Sequence, residues 1–194
     1  MDVLVILCHP REGSFNRAVA ERVVETLVEQ GHASHLHDLY AEGFDPVLSS
    51  DELSRGLSFD EKVLAYSREL TVCSGLVFVH PEWWGGPPAL LKGWLERVFR
   101  PGVAYEFEGP DFLRKQKTPL LGGKRALVFA TSHETESGQP GLLERFWLEA
   151  VFGYCGLQQA ACHVLRNLHR LEQGQRTAWL ERVTLTVRAC FPPL

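Results

Sequence analysis

The residues best placed to do chemistry in this chain lie in two loops. The first reads Cys8-His9-Pro10-Arg11-Glu12-Gly13-Ser14. Gly13 permits a tight turn and Ser14 can cap a following helix, which leaves amides at the positive end of that helix beside two basic side chains. Such a loop is suited to phosphate, although plain helix capping by Ser14 explains the same residues. It is neither a Gly-x-Gly-x-x-Gly fingerprint nor a Walker loop.

The second loop follows a short apolar run and reads Pro81-Glu82-Trp83-Trp84-Gly85-Gly86-Pro87-Pro88. Glycine and proline together make a stiff turn with exposed backbone, and tryptophan offers a large flat surface. One interpretation is that both tryptophans plug the core beneath a proline-capped helix. Two adjacent tryptophans followed by Gly-Gly favour a different one, because neighbours in an extended loop point in different directions. We therefore predict that this loop holds a flat ring.

Strands and helices alternate along the whole chain, which predicts one α/β domain spanning residues 1–194. Apolar runs predict strands at 3–7, 33–39, 75–79, 126–130 and 158–164. Apolar spacing predicts helices at 14–31, 59–71, 89–99, 142–154 and 173–190, and we expect 40–56 and 101–123 to be irregular. Five strands joined by helical crossovers form a parallel sheet, most commonly in the order 2-1-3-4-5. In that order both loops lie at the carboxyl edge of the sheet.

Composition narrows the class of protein further. The chain has 194 residues and a formal net charge of -4, which argues against a nucleic-acid partner. Its five cysteines form no Cys-x-x-Cys pair and have apolar neighbours, as reduced core residues do. The first apolar run is too short to span a bilayer and has the wrong flanks for a secretory signal. We therefore expect a cytoplasmic protein without a membrane span.

Both loops resemble segments of the NAD(P)H:quinone oxidoreductases, flavoproteins with a flavodoxin-like fold. His9-Pro10-Arg11-Glu12-Gly13-Ser14-Phe15-Asn16 is similar to the phosphate loop of that family. Leu91-Lys92-Gly93-Trp94 and Glu96-Arg97-Val98-Phe99, after the tryptophan loop, resemble its ring-binding loop and helix. The resemblance implies a three-layer α/β/α sandwich, non-covalent FAD or FMN, NAD(P)H as co-substrate and a homodimer.

Roles for particular residues follow in part from the resemblance and in part from the two loops and the turn after the fourth strand. Those expected to contact the flavin are His9, Gly13, Ser14, Phe15, Asn16, Ala18, Pro81, Glu82, Trp83, Trp84, Gly85, Thr131, Ser132 and His133. Tyr105 would line the substrate pocket across a dimer interface, and His133 is a candidate donor to the reduced flavin, with an ordinary exposed loop histidine as the alternative.

The chain departs from the family in two places. Family members often have a Thr-Thr-Gly-Gly run after the fourth strand, followed by a tyrosine and a histidine credited with charge relay. Here the residues are Thr131-Ser132-His133-Glu134-Thr135-Glu136-Ser137-Gly138, without a tyrosine. Glu82 and Gly85 replace bulkier apolar residues, so we expect a wider, more polar pocket.

The function predicted is hydride transfer from NAD(P)H through flavin to a quinone or similar small acceptor, with ping-pong kinetics. Two alternatives stay open: a flavodoxin-type electron carrier, and a flavin-binding regulatory or ancillary subunit. No metal site is predicted. His35 and His37 share a strand face, but no carboxylate or thiolate is expected near them.

Overall fold

The computed structural model describes residues 1–109, 116–133 and 141–193. Its strands are β1 (Asp2–Leu7), β2 (Ala33–Asp38), β3 (Gly75–Pro81), β4 (Tyr105–Glu108), β5 (Gln116–Pro119), β6 (Arg125–Thr131) and β7 (Gln159–Leu165). Its helices are α1 (Phe15–Glu29), α2 (Ser50–Arg55), α3 (Glu61–Val72), α4 (Ala89–Val98), α5 (Leu142–Arg145) and α6 (Gln173–Cys190). From α5 the chain continues in π-helical turns over Phe146–Gly153, and a single 3-10 turn occupies Leu168–Arg170.

Five parallel strands form the central sheet in the order β2-β1-β3-β6-β7. β4 and β5 form a separate hairpin, so β6 and β7 are the fourth and fifth strands of the sheet. The order is therefore the predicted 2-1-3-4-5. Side chains alternate between the two faces of each strand. On β3, Val77 and Val79 belong to a core shared with α1 and α6, whereas Leu76 and Phe78 belong to a core shared with α3 and α4. The predicted flavodoxin-like sandwich is confirmed.

Two segments predicted to be irregular contain regular structure. Within 40–56, Ser49 caps α2 through a capping box with Glu52, a spacing that the sequence already displays. Within 101–123, β4 and β5 pair antiparallel, from Tyr105 opposite Pro119 to Glu108 opposite Gln116. These strands are short and mostly polar or half-exposed, so they lack the apolar run by which the sheet strands are recognised. The predicted helix at 142–154 is largely π-helical.

Arg97 attaches the segment before α3 to α4. Its side chain is 5% exposed, and its Nη2 lies 2.9 Å from Glu52 Oε1 and 3.1 Å from Asp60 Oδ2. Nη1 donates to the carbonyl oxygen of Asp45 at 2.6 Å. Burial alone would raise the pKa of Glu52, but hydrogen bonds from Arg97, Ser58 and the Ser49 amide lower it to about 2. The segment is therefore held by a buried ion-pair network rather than by an apolar face of α2, which buries none of its residues.

His80 is a fully buried histidine on β3. Its Nε2 lies 3.0 Å from Trp147 Nε1, and its Nδ1 lies 2.9 Å from the carbonyl oxygen of Pro81. An indole N–H can only donate, so Nε2 accepts and the ring proton resides on Nδ1, where it donates to Pro81. Burial lowers the pKa of His80 to about 4, with partial compensation from that bond. The ring is neutral and satisfied on both nitrogens.

We expect the neutral state of His80 to make stability fall as pH decreases from about 6.5 to 5. Over this range the unfolded chain takes up a proton near the ordinary histidine pKa, about 6.5, whereas folded His80 stays neutral until about pH 4. Replacing His80→Gln should reduce the slope of unfolding free energy against pH, measured by urea denaturation. The exposed His35→Gln is the control and should keep the wild-type slope. Equal slopes in the two variants would contradict the assignment.

Candidate functional site

The two loops singled out above face each other across a cleft at the carboxyl edge of the sheet. Its volume is about 530 Å³, within the usual range for small-molecule sites. The described residues lining it are His9, Arg11, Gly13, Ser14, Phe15, Ala18, Pro81, Trp83, Thr131, His133, Leu168, His169, Gln173, Arg176, Thr177 and Leu180. Two arginines and three histidines are in this set, and no acidic side chain is among these described lining residues. The cleft is therefore suited to an anionic ligand.

The first loop presents donors to this cleft. Ser14 is the N-cap of α1 and accepts from the Arg17 amide at 3.2 Å. Nδ1 of His9 accepts from the Arg11 amide at 3.0 Å, and burial lowers the pKa of His9. A neutral His9 ring accordingly carries its proton on Nε2. Ser14 therefore caps α1, as the plain helix-capping interpretation predicts. The loop also lines the cleft, as the phosphate-binding interpretation predicts.

The second loop is a tight two-residue turn. The amides and carbonyls of Trp83 and Gly86 bond each other at 2.9 and 3.1 Å, and φ is 55° at Trp84 and 71° at Gly85. Positive φ at both central positions defines a type I′ turn, which is strained for tryptophan. Trp84 is fully exposed and Trp83 is 42% exposed, which excludes the interpretation that both plug the core. Pro81 and Trp83 line the cleft, whereas Trp84 and Gly85 lie outside the lining.

Glu82 points away from the cleft. Its amide donates to the Thr131 carbonyl at 2.7 Å, and its side chain, 4% exposed, contacts Arg166. We expected Glu82 to make the pocket more polar. Its charge instead lies behind the cleft wall, so it does not add a polar group to the lining.

Asn16 connects the first loop to the end of β6. It is buried, and its Nδ2 donates to Thr131 Oγ1 at 2.9 Å. Its Oδ1 is buried without a hydrogen-bond partner. An orphaned buried acceptor costs about 1–3 kcal/mol, and neither Asn16 nor Ser132 is among the residues that line the cleft. Ser132 is also buried, and its amide donates to the Leu165 carbonyl at 2.8 Å.

His133 forms a stacked pair with His169. The ring centroids are 5.1 Å apart with planes 9° from parallel, and both rings line the cleft. His133 is therefore not a loop histidine without contacts. Residues 134–138, where the sequence differs from the family, lie outside the described residues.

The sequence analysis did not predict the lining residues that follow β7. They are Leu168, His169, Gln173, Arg176, Thr177 and Leu180. They could have been predicted from the sheet order, because the turns after all strands of a parallel sheet lie at the same edge.

Tyr105 lies elsewhere. It lines a largely apolar groove of about 460 Å³ between α2, α4 and the π-helical turns, together with Leu53, Leu95 and Tyr154. No described residue lines both this groove and the cleft. Within one chain, Tyr105 is therefore separate from the residues expected to hold the flavin.

The expectation that no carboxylate lies near His37 is wrong. Nδ1 of His37 is 2.9 Å from Glu42 Oε1, and Nε2 is 2.7 Å from Glu69 Oε2. These partners come from the turn after β2 and from α3, so strand spacing alone did not reveal them. Both ring nitrogens are occupied by carboxylates, which leaves neither available as a metal ligand.

Comparison with known proteins identifies the class to which this fold and cleft belong. A family model described as having a flavodoxin-like fold, Flavodoxin_2, matches residues 1–184. An uncharacterized NAD(P)H oxidoreductase of Haemophilus influenzae is 30% identical over 189 residues, covering 93% of this chain and 91% of that protein. NAD(P)H dehydrogenase [quinone] 1 of Rattus norvegicus is 32% identical over 202 residues, covering 92% of this chain and 73% of that protein.

A solved structure is similar over nearly the whole chain. The NAD(P)H:quinone oxidoreductase from Methanothermobacter marburgensis superimposes with a TM-score of 0.79 at 28% identity, covering 97% of this chain and 96% of that one. The chain belongs to the Flavodoxin_2 family, as an oxidoreductase similar to the NAD(P)H dehydrogenases (quinone). None of the helices in the described part is both long and apolar enough to cross a membrane.

Proposed function

We propose that this protein is a flavin-dependent NAD(P)H oxidoreductase that passes hydride from NAD(P)H to a quinone or similar small acceptor. The observation that carries the proposal is the cleft at the sheet edge, which joins a helix-capping loop with basic side chains to a tryptophan turn and has no acidic residue among its described lining. A flavin nucleotide has the matching parts, an anionic phosphate and a flat ring. The flavin supplies the hydride-accepting and hydride-donating chemistry.

The residues present fit such a cofactor. The N-terminus of α1, capped by Ser14 and flanked by His9, suits the phosphate. Asn16, which is buried outside the cleft lining, would position Thr131 through its bond to Oγ1. Pro81, Trp83 and Thr131 line the part of the cleft that would receive the ring. His133, stacked on His169, can donate a hydrogen bond to negative charge that develops on the ring.

We further propose FAD rather than FMN as the resident cofactor. The cleft extends from the phosphate loop to α6, where Gln173, Arg176 and Thr177 line it. Nη2 and Nε of Arg176 donate to the carbonyls of Leu168 and Leu171 at 3.4 and 3.3 Å, which directs its cationic group along this extension. Arg176 would supply positive charge for a second phosphate there.

The flavin ring in this cleft would be open to one further ligand at a time, so donor and acceptor would use the same position in turn. This supports ping-pong kinetics, for which initial-rate lines at varied NADPH and quinone are parallel. Tyr105 lies in a groove separate from the cleft, so it would line a substrate pocket only from a second copy of the chain. We accordingly propose a homodimer.

Flavin binding is tested by Ser14→Asp. Aspartate is as good an N-cap as serine, so α1 keeps its cap, but the carboxylate repels a phosphate. We expect the purified protein to be yellow, FAD to bind more tightly than FMN in fluorescence titrations, and Ser14→Asp to weaken both at least tenfold without loss of stability. Ser49→Asp makes the same change at the cap of α2 and should leave binding unchanged. Wild-type protein that binds neither flavin would refute the proposal.

A further inference from the structure

Three largely buried charged side chains form a cluster behind the tryptophan turn. Nη1 of Arg166 lies 3.7 Å from Glu82 Oε2, and its Nη2 lies 2.5 Å from Glu144 Oε1. The side chain of Glu82 is 4% exposed, that of Arg166 10% and that of Glu144 18%. Pro81 and Trp83, the chain neighbours of Glu82, both line the cleft. The cluster therefore lies behind a turn whose residues on either side of Glu82 line the cleft.

The sheet brings these residues together. The Glu82 amide donates to the Thr131 carbonyl, and the Ser132 amide donates to the Leu165 carbonyl, which continues the sheet ladder one residue past its strands. Glu82 and Arg166 thus flank the end of β6. By strand alternation, Glu82 follows Phe78 on the face toward α5, and Arg166 follows Cys162 and Val164 on the same face. Glu144, in α5, covers them from that side.

Two carboxylates share one guanidinium in this cluster. Oε2 of Glu82 and Oε2 of Glu144 are buried and accept no hydrogen bond. The pKa of Cys162 is raised to about 12, first by burial and then by the charges of Glu144 and Glu82, so the neighbouring thiol stays neutral. Apolar residues of similar volume commonly give equal or greater stability than such a buried ion pair. Stability alone therefore does not account for this arrangement.

We propose that the Glu82–Arg166–Glu144 cluster sets the reduction potential of the flavin in the adjoining cleft, with the two carboxylates lowering it and Arg166 limiting their effect. This inference rests on the proposed function, since it requires a flavin there. Reduction adds negative charge to the cofactor, and a nearby buried carboxylate disfavours that charge because the interaction is weakly screened. The three residues tune the cofactor from behind the cleft wall, without contacting substrate.

The test compares reduction potentials of the FAD-loaded protein, measured by spectroscopic equilibration with a dye of known potential. Glu82→Gln and Glu144→Gln each remove one negative charge and should shift the potential to more positive values. Arg166→Gln removes the positive charge and should shift it to more negative values. We expect each shift to correspond to about a tenfold change in the redox equilibrium, or about 30 mV for a two-electron couple.

Glu149→Gln is the matched control. Glu149 lies in the π-helical turns just after α5, and its side chain is 67% exposed beside Arg145, so its charge is screened and the potential should not move. A purely structural cluster would give no shift, or shifts of one sign in all three variants, and either result overturns the inference. If Arg166→Gln does not fold, the two glutamate variants decide the matter. A wild-type protein that takes up no flavin would instead refute the proposed function, and the inference with it.

Discussion

Replacing Arg97→Met is expected to lower the free energy of unfolding by about 3–5 kcal/mol, because removing one partner of a buried ion pair leaves the other charge uncompensated. The stranded group is Glu52, whose side chain is 12% exposed and which has no other cation within ion-pair distance among the described residues. The carbonyl of Asp45 loses its donor as well. Urea denaturation at pH 7 measures the loss.

The exposed pair of Arg55 with Asp51 provides a matched control. Arg55 Nε lies 3.1 Å from Asp51 Oδ2, but the side chains are 55% and 67% exposed. Arg55→Met should cost less than about 1 kcal/mol, because water screens such pairs. A similar loss in the two variants would show that burial of the Arg97 network contributes little.

The Arg97 variant should also respond differently to acid. The pKa of Glu52 in the folded protein is about 2, below its ordinary value, so its contribution to stability is complete above about pH 4.5 and is lost as pH falls toward 2. Without Arg97 this contribution disappears at every pH. We therefore expect the difference between wild type and Arg97→Met to narrow below pH 4.5. A difference that stays constant with pH would argue that lost packing, rather than lost charge pairing, explains the effect.

Gly93→Ala is expected to destabilise the protein by about 1–3 kcal/mol, although alanine is the better helix former by about 1 kcal/mol. A Cβ at position 93 of α4 would lie 2.3 Å from the carbonyl oxygen of Pro46 and 2.7 Å from its Cα. Both atoms belong to the backbone and cannot rotate away. The segment before α2 must therefore move off α4, which also disturbs the adjoining bond from Arg97 to Asp45.

Gly174→Ala, in the first turn of α6, separates the two effects. A Cβ there meets no atom within 4 Å, so only the gain in helix propensity remains and stability should rise by up to about 1 kcal/mol. Opposite signs for the two glycine variants in urea denaturation would establish that close approach, rather than backbone freedom, requires glycine at position 93. A neutral or stabilising Gly93→Ala would contradict the observed contact.

Much of the fold could be predicted because its signals are local. The apolar run at residues 75–79 and the spacing from Ala89 to Phe99 indicate one strand and one helix without knowledge of the rest. The order of the sheet then follows from a general preference, and it puts the turns after β1 and β3 at one edge. The hairpin of β4 and β5 was missed because its strands are short and largely polar, and their pairing is decided by contacts distant from the local pattern.

The sequence by itself determined the α/β alternation and the two loops at the carboxyl edge, because strand and helix periodicity and turn chemistry act over a few residues. Only the tertiary structure decided that Trp84 lies outside the cleft, that α6 supplies part of its lining, and that Glu82 meets Arg166. Glu82 and Arg166 are 84 positions apart in the chain. Such contacts depend on strand order, register and the direction of each side chain, which no local pattern specifies.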